Sequence, residues 1–91
     1  MPKKAKIRAA KLQVRRVFLE EWDPIGVADE PLAQDEYDGY LGSIYDMLAR
    51  GASEAEIARR LSFHETVDMG GPERSFDKLL FVAKALKGIS L

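Results

Sequence analysis

The dipeptide Asp23-Pro24, which directly follows the only tryptophan, limits the fold of this chain more than any other feature. Upstream of it, apolar residues recur every three to four positions, as they do along one face of an α-helix. Proline lacks a backbone donor and disfavours the helical region for the residue before it. The sequence therefore predicts a first helix from about Lys4 to Trp22, followed by a type I turn over residues 23–26.

The middle of the chain continues the helical spacing. A second helix is predicted to begin near Pro31 or Gln34 and to end at Gly51, because acidic residues favour the positive end of its dipole and glycine favours its C-terminal end. Gly39 and Gly42 lie inside this predicted helix at a cost of up to ~1 kcal/mol each. Their presence indicates that another backbone approaches closely there.

The last third of the chain predicts two more helices. Ser53 and Glu56 form a capping box that begins a third helix, and Pro72 is the predicted start of a fourth. Between them the periodicity fails over residues 62–71, which predicts a loop of ~10 residues. The predicted fold class is therefore all-α: a compact bundle of about four helices with a long loop before the last helix, in one domain spanning residues 1–91.

The charges are divided unevenly along the chain. Seven of the 14 basic residues fall within the first sixteen positions, which contain no acid. We expect these first sixteen residues to form a basic arm, mobile over residues 1–6, that either binds a polyanion or lies on the acidic remainder of the chain. The second interpretation is favoured, because a nucleic-acid binder usually has a basic body as well. The residues of the polyanion-binding alternative are Lys3, Lys4, Lys6, Arg8 and Lys11.

Two motifs carry a family resemblance. Trp22-Asp23-Pro24-Ile25-Gly26 and the downstream Asp35-Glu36-Tyr37-Asp38 resemble a family of small bacterial all-helical domains of unknown function, in which a helix ends in W-D-P, an aliphatic residue and G. The resemblance covers residues 17–86. It implies a compact bundle of about four helices and a bacterial origin, and it carries over no catalytic residue.

The same turn is the predicted structural anchor, formed by Trp22, Asp23, Pro24 and Gly26. An indole beside a proline turn buries a large area, so we expect Trp22 to lie in the core and to fix the exit of the first helix. The Asp23 side chain is expected to cap the turn by accepting from amides two or three residues on.

The sharpest functional prediction from the sequence is a partner-binding surface. Tyrosines alternate with acidic residues after Pro31, and tyrosine with charge is a composition typical of interaction patches. A solvated acidic face is the structural alternative. Together with the predicted loop, the partner-binding candidates are Tyr37, Tyr40, Tyr45, Asp38, Phe63 and His64.

No residue is predicted to be catalytic, to bind a metal or to bind a cofactor. His64-Glu65-Thr66-Val67-Asp68 resembles a broken H-E-x-x-H zinc motif, but the chain has one histidine and no cysteine to complete a ligand set. Residues 53–61 resemble the first helix of a helix-turn-helix motif, yet the stretch that follows lacks the basic residues that phosphate contacts need.

These observations predict a non-enzymatic protein-interaction or accessory module with an unidentified protein partner. The alternative is a nucleic-acid accessory protein that binds phosphates through the basic arm. We expect a cytoplasmic protein without membrane association, because cysteine is absent and no apolar run approaches ~20 residues. Either a monomer or a homodimer fits the sequence, the homodimer forming through the strongly apolar last helix.

Overall fold

The computed structural model describes the backbone of residues 2–89 and 91 and the side chains of residues 4–89 and 91. Within this part of the chain there are four α-helices and no strand: α1 (Pro2–Val17), α2 (Leu41–Ala49), α3 (Glu54–Phe63) and α4 (Phe76–Lys87). The most extensive packing between two helices is that of α3 against α4, and α1 packs against α2. The predicted all-α bundle of about four helices is confirmed.

The first helix ends at the predicted place. α1 continues into one π-helical turn, Phe18–Trp22, closed by the Asp23 N–H donating to the Phe18 carbonyl at 2.6 Å. Asp23 then adopts a left-handed φ of 33°, which stops the helix. The Gly26 N–H donates to the Asp23 carbonyl at 3.2 Å and closes the predicted turn.

The start of α1 falls within the expected basic arm, whose mobility stays a prediction. Residues 2–6 are helical, which fits Pro2 at a first helical position and the lysines and alanine that follow it. Met1 lies outside the described residues, as does the side chain of Lys3.

The second helix begins later than predicted. Residues 27–40 form consecutive tight turns, including the 3₁₀ turns Pro31–Ala33 and Asp38–Tyr40, before α2 starts at Leu41. These turns place Tyr37 in the core, and this burial outweighs the local helical signal. A Cβ added at Gly39 or Gly42 would meet no atom within 4 Å, so the predicted close backbone approach is wrong. Gly51, with a φ of 76°, follows the end of α2 as predicted.

The predicted loop after α3 is wrong in its first half. The π-helical turn His64–Asp68 extends the helix, and the connection before α4 is the segment 69–75. α4 therefore begins at Phe76 and not at Pro72. The helical period is hidden because the wider π-helical turn directs two successive residues, His64 and Glu65, inward.

One core joins all four helices. Its fully buried side chains come from α1 and its π-helical turn, from the segment before α2, and from α2, α3 and α4; they include Val14, Phe18, Trp22, Tyr37, Ile44, Ile57, Leu61, Leu79, Val82 and Leu86. Over the described residues, no helix combines the length and the apolar character needed to span a bilayer.

Candidate functional site

An ion pair between Glu65 and Arg74 holds Trp22 in place at the end of the first helix. Trp22 is 1% exposed, and its indole N–H donates to Glu65 Oε2. Arg74 donates two hydrogen bonds to the same carboxylate, from Nε to Oε1 at 2.8 Å and from Nη2 to Oε2 at 2.9 Å. Arg74 Nη2 also donates to the Trp22 carbonyl at 3.1 Å. The cluster therefore joins the end of the first helix, the extension of α3 and the segment before α4.

The chemistry open to this carboxylate is narrow. Both oxygens of Glu65 already accept hydrogen bonds, and the hydrogen bond to Glu65 raises the pKa of the Arg74 guanidinium. The adjoining cavity, lined by Pro24, Gly71 and Arg74 among others, measures about 50 Å³. That volume is on the scale of one or two water molecules. The arrangement is that of a structural clamp.

A second polar group of contacts fixes the turn. The Tyr37 hydroxyl donates to Asp23 Oδ1 at 2.8 Å and accepts from the Ile25 N–H at 3.1 Å. Asp23 also accepts from the amides of Val27 and Ala28, four and five residues on and not two or three as predicted. Burial raises the pKa of Tyr37, and its hydrogen bond to Asp23 raises it further. Tyr37, 1% exposed, is a core residue and not the partner contact we expected.

His64 is also buried, so it does not lie on the expected surface loop. Its Nδ1 lies 2.7 Å from Asp68 Oδ2, and its ring stacks against Tyr40 with centroids 4.3 Å apart. Among the described buried side chains, the atom without a hydrogen-bond partner is His64 Nε2. No group of three or more potential metal ligands occurs in the described part of the chain.

The other predicted partner contacts, Tyr40, Tyr45, Asp38 and Phe63, each have different neighbours. Tyr40 is half-buried over His64, while the Tyr45 ring lies 5.7 Å from the Lys11 ammonium. Asp38 forms a bidentate pair with Arg15 of α1. Phe63 is partly exposed. With Tyr37 in the core, the predicted tyrosines do not form one exposed acidic surface.

The exposed acidic surface lies instead on residues 27–36, which we call the acidic loop. It contains no basic residue, and its four acids are exposed: Asp29, Glu30, Asp35 and Glu36. Leu32 stands among them with 98% of its surface exposed. The Gln34 amide donates to the carbonyls of Ala28 and Glu30, each at 3.0 Å, and so braces the loop from inside.

Three basic residues of α1 form a row on its surface, of which Lys4 and Arg8 are exposed and Lys11 is half-buried. Lys4, Arg8 and Lys11 follow one another at helical spacing and border a groove of about 310 Å³, which we call the α1 groove. Its apolar lining comes from Ile7, Leu12 and Leu41. Among the described residues, Arg15 and Arg16 are the basic residues of α1 whose side chains lie within 4 Å of an acidic side chain. Within the basic arm, Arg15 thus lies against an acid of the body as favoured, whereas Lys4, Lys6, Arg8 and Lys11 make no such contact with a described acid.

A second group of cations lies at the other end of α2. Arg50, Arg59 and Arg60 line an open groove of about 500 Å³ together with Phe63. Glu56, which takes part in the capping box, is the acid beside them. This groove therefore has an excess of positive charge.

Two of these features were not predicted from the sequence. Glu65 and Arg74 are distant from Trp22 along the chain, and nothing in their spacing indicates that the three meet. The later part of the acidic loop lies within the predicted second helix, which begins near Pro31 or Gln34. Leu32, isolated among acids and next to Pro31, is nevertheless a sequence signal for an exposed contact.

Comparison of this chain with protein-family models, with curated proteins and with solved structures found no match in any of the three. The family resemblance of the turn at residues 22–26 therefore stays a prediction.

Proposed function

We propose that this chain is a protein-interaction module that binds its partner through the acidic loop, with Leu32 as the central contact. The observation that carries the proposal is the 98% exposure of a leucine among four exposed acids. Burial of such a side chain at an interface gains about 2 kcal/mol from the apolar area removed from water. The partner surface that fits is a small apolar pocket bordered by cations.

The loop is prepared for binding because its backbone is already held in place. Asp23 accepts from the amides of Val27 and Ala28, and the Gln34 side chain spans two carbonyls inside the loop. Successive four-residue turns, each closed by a hydrogen bond between residues three apart, account for further backbone hydrogen bonds between residues 27 and 40. A loop ordered before it binds loses less conformational entropy on association.

The loop is tested by affinity capture with the purified chain. The variants are Leu32→Ser and the double variant Asp29→Lys/Glu30→Lys, with Val67→Ser as the matched control, because Val67 is 62% exposed on a different element. We expect the native chain and V67S to retain one stoichiometric protein that both loop variants lose. Equal recovery by all four proteins, each shown to be folded by circular dichroism, contradicts the proposal.

Nucleic-acid binding is the second candidate. It is supported by the row of cations on α1 and by the arginine groove with its exposed phenylalanine, since phosphates need cations and bases stack on aromatic rings. Fluorescence anisotropy with labelled single- and double-stranded oligonucleotides tests it. The double variant Lys4→Ser/Arg8→Ser should make the negative slope of log affinity against log salt shallower by about 2, while Lys84→Ser should leave that slope unchanged. Undetectable binding at low salt contradicts this candidate.

We further propose that the chain belongs to the bacterial W-D-P family named above and acts in the cytoplasm. The turn geometry of Asp23 and Gly26 supports the first statement, and a sequence of 91 residues without cysteine supports the second. Fractionation of the source cells, followed by detection with an antibody, tests the compartment.

A further inference from the structure

The α1 groove and the acidic loop are complementary in both shape and charge. The groove has an apolar lining, including Leu12 at 54% exposure, and a border of Lys4, Arg8 and Lys11. No acid lines it. The loop offers one projecting apolar side chain, Leu32, and four exposed acids without a cation.

We propose that a second copy of this chain seats its Leu32 in the α1 groove, with the acids of the loop against Lys4, Arg8 and Lys11. This inference rests on the proposed function and names the partner of the acidic loop. A groove of about 310 Å³ is ample for one leucine side chain and part of the adjoining backbone.

The occupant cannot be the chain's own loop, because Leu32 is 98% exposed in the folded molecule. A nucleic acid fits the groove less well than a second copy does. Its phosphates would contact the bordering cations, yet a sugar-phosphate backbone would leave Ile7, Leu12 and Leu41 without an apolar partner. A leucine surrounded by carboxylates instead contacts the apolar lining of the groove and pairs with the cations that border it.

The positions of the two surfaces favour a closed dimer. Leu12 borders the α1 groove and also a neighbouring groove of about 410 Å³, to which Ala28 and Gln34 of the acidic loop contribute. The loop and the α1 groove therefore lie on adjoining parts of the surface. A two-fold axis between them brings each loop to the partner's groove, so the contact forms twice and no end is left open for further addition.

Sedimentation equilibrium of the full chain over a range of protein and salt concentrations tests the proposal. We expect the native chain and the controls V67S and F81S to form a dimer that weakens as salt screens the exposed charges. Leu32→Ser, the groove variant Lys4→Glu/Arg8→Glu and the loop variant Asp29→Lys/Glu30→Lys should each raise the dimer dissociation constant at least about 10-fold. Circular dichroism and urea unfolding establish that each variant is folded.

A mixing experiment gives the decisive result. The groove variant sets its acidic loop against an acidic groove, and the loop variant has a loop without net charge, because its two new lysines face Asp35 and Glu36. In a heterodimer of the two, one contact is native and the other pairs the new lysines with the new glutamates. The equimolar mixture should therefore form a heterodimer in preference to either homodimer. A native chain that stays monomeric, a dimer that persists in L32S, a dimer lost in F81S, or a mixture that fails to associate overturns the inference. If the native chain is monomeric while L32S still loses a captured protein, the proposed function stands and the second-copy assignment alone fails.

Discussion

At the scale of single residues, Glu65 is the polar residue whose removal should disturb the structure most. Its carboxylate is 3% exposed and accepts from the Trp22 indole and from two donors of Arg74. A buried charge is tolerated only when it is paired and hydrogen-bonded. Removal of this one side chain leaves both a buried indole N–H and a guanidinium without their acceptor.

Glu65→Ala is therefore expected to lower the free energy of unfolding by about 3 kcal/mol, towards the lower end for a broken buried pair because the Arg74 side chain is 28% exposed. The neighbouring variant Glu73→Ala, at an exposed position, should change stability by less than about 0.5 kcal/mol. Urea unfolding measures both. A double-mutant cycle with Trp22→Phe should give a coupling energy above about 0.5 kcal/mol, and additivity of the two changes contradicts the hydrogen bond.

Tyr37 gives the molecule a pH dependence on the alkaline side. Burial and the Asp23 carboxylate raise its pKa above the ordinary value of 10, so the folded chain holds the phenol proton more tightly than the unfolded chain does. The associated stabilisation is complete below pH 10 and is lost as the pH rises through the folded pKa, because the unfolded tyrosine ionises first.

Tyr37→Phe should destabilise the chain by about 1–2 kcal/mol near neutral pH, through loss of two hydrogen bonds at a buried site. Above pH 10 the gap between native chain and variant should narrow. Urea unfolding of both proteins in parallel measures it, and effects common to both chains, such as lysine deprotonation, cancel in the difference. A gap that stays constant into strong alkali contradicts this assignment.

At the scale of elements, the two helix starts near Ser53 and Ser75 offer a direct comparison. The Ser53 hydroxyl accepts from the Glu56 N–H at 3.1 Å, while Glu56 accepts from the Ser53 N–H at 3.0 Å. The hydrogen bonds to Ser53 lower the pKa of Glu56, so this contribution is lost only as the pH falls through that lowered value. Ser75, at the start of α4, makes no side-chain cap.

Ser53→Ala is accordingly expected to cost about 1 kcal/mol of stability, as removal of an N-cap does. Ser75→Ala should cost much less, although both serines precede a helix by one residue. Thermal and urea unfolding of the two variants measures the difference. Equal losses contradict the assignment of the cap to Ser53.

Two glycines, one within α2 and one just after its end, should respond in opposite directions to the same substitution. Gly42→Ala places a methyl group in open space within the helix, so we expect a gain of about 0.5 kcal/mol. Gly51→Ala forces an alanine to a φ of 76°, so we expect a loss of about 1 kcal/mol. Urea unfolding tests both signs. A loss at Gly42 shows that some contact requires a glycine there.

At the scale of the whole molecule, charge is separated into an acidic loop and a basic helix that meet within one chain. The Arg15 to Asp38 pair joins α1 to the turn that directly follows the acidic loop, and the hydrogen bond to Asp38 holds the pKa of Arg15 above its ordinary value. Lys4, Arg8 and Leu32 remain exposed on either side of that junction. Such a surface favours association with a complementary one, which is why both proposals are tested by charge reversal and added salt.

Much of the architecture was readable from local chemistry. Proline after Asp23 ends the first helix, the Ser53 capping box begins α3, and Gly51 follows α2, because each signal acts within a few residues of itself. Ile57, Ala58 and Leu61 recur at helical spacing in the sequence, and they form the buried face of α3.

The remaining features depend on tertiary contacts. Tyr37 is drawn into the core by Trp22 and Asp23, and this burial replaces the predicted early start of the second helix with tight turns. Glu65 faces inward because Trp22 and Arg74 satisfy its charge, which turns an expected loop into a helical extension. In both cases a polar group distant along the chain decides the local conformation, since a buried polar side chain must find its partner wherever the fold supplies one.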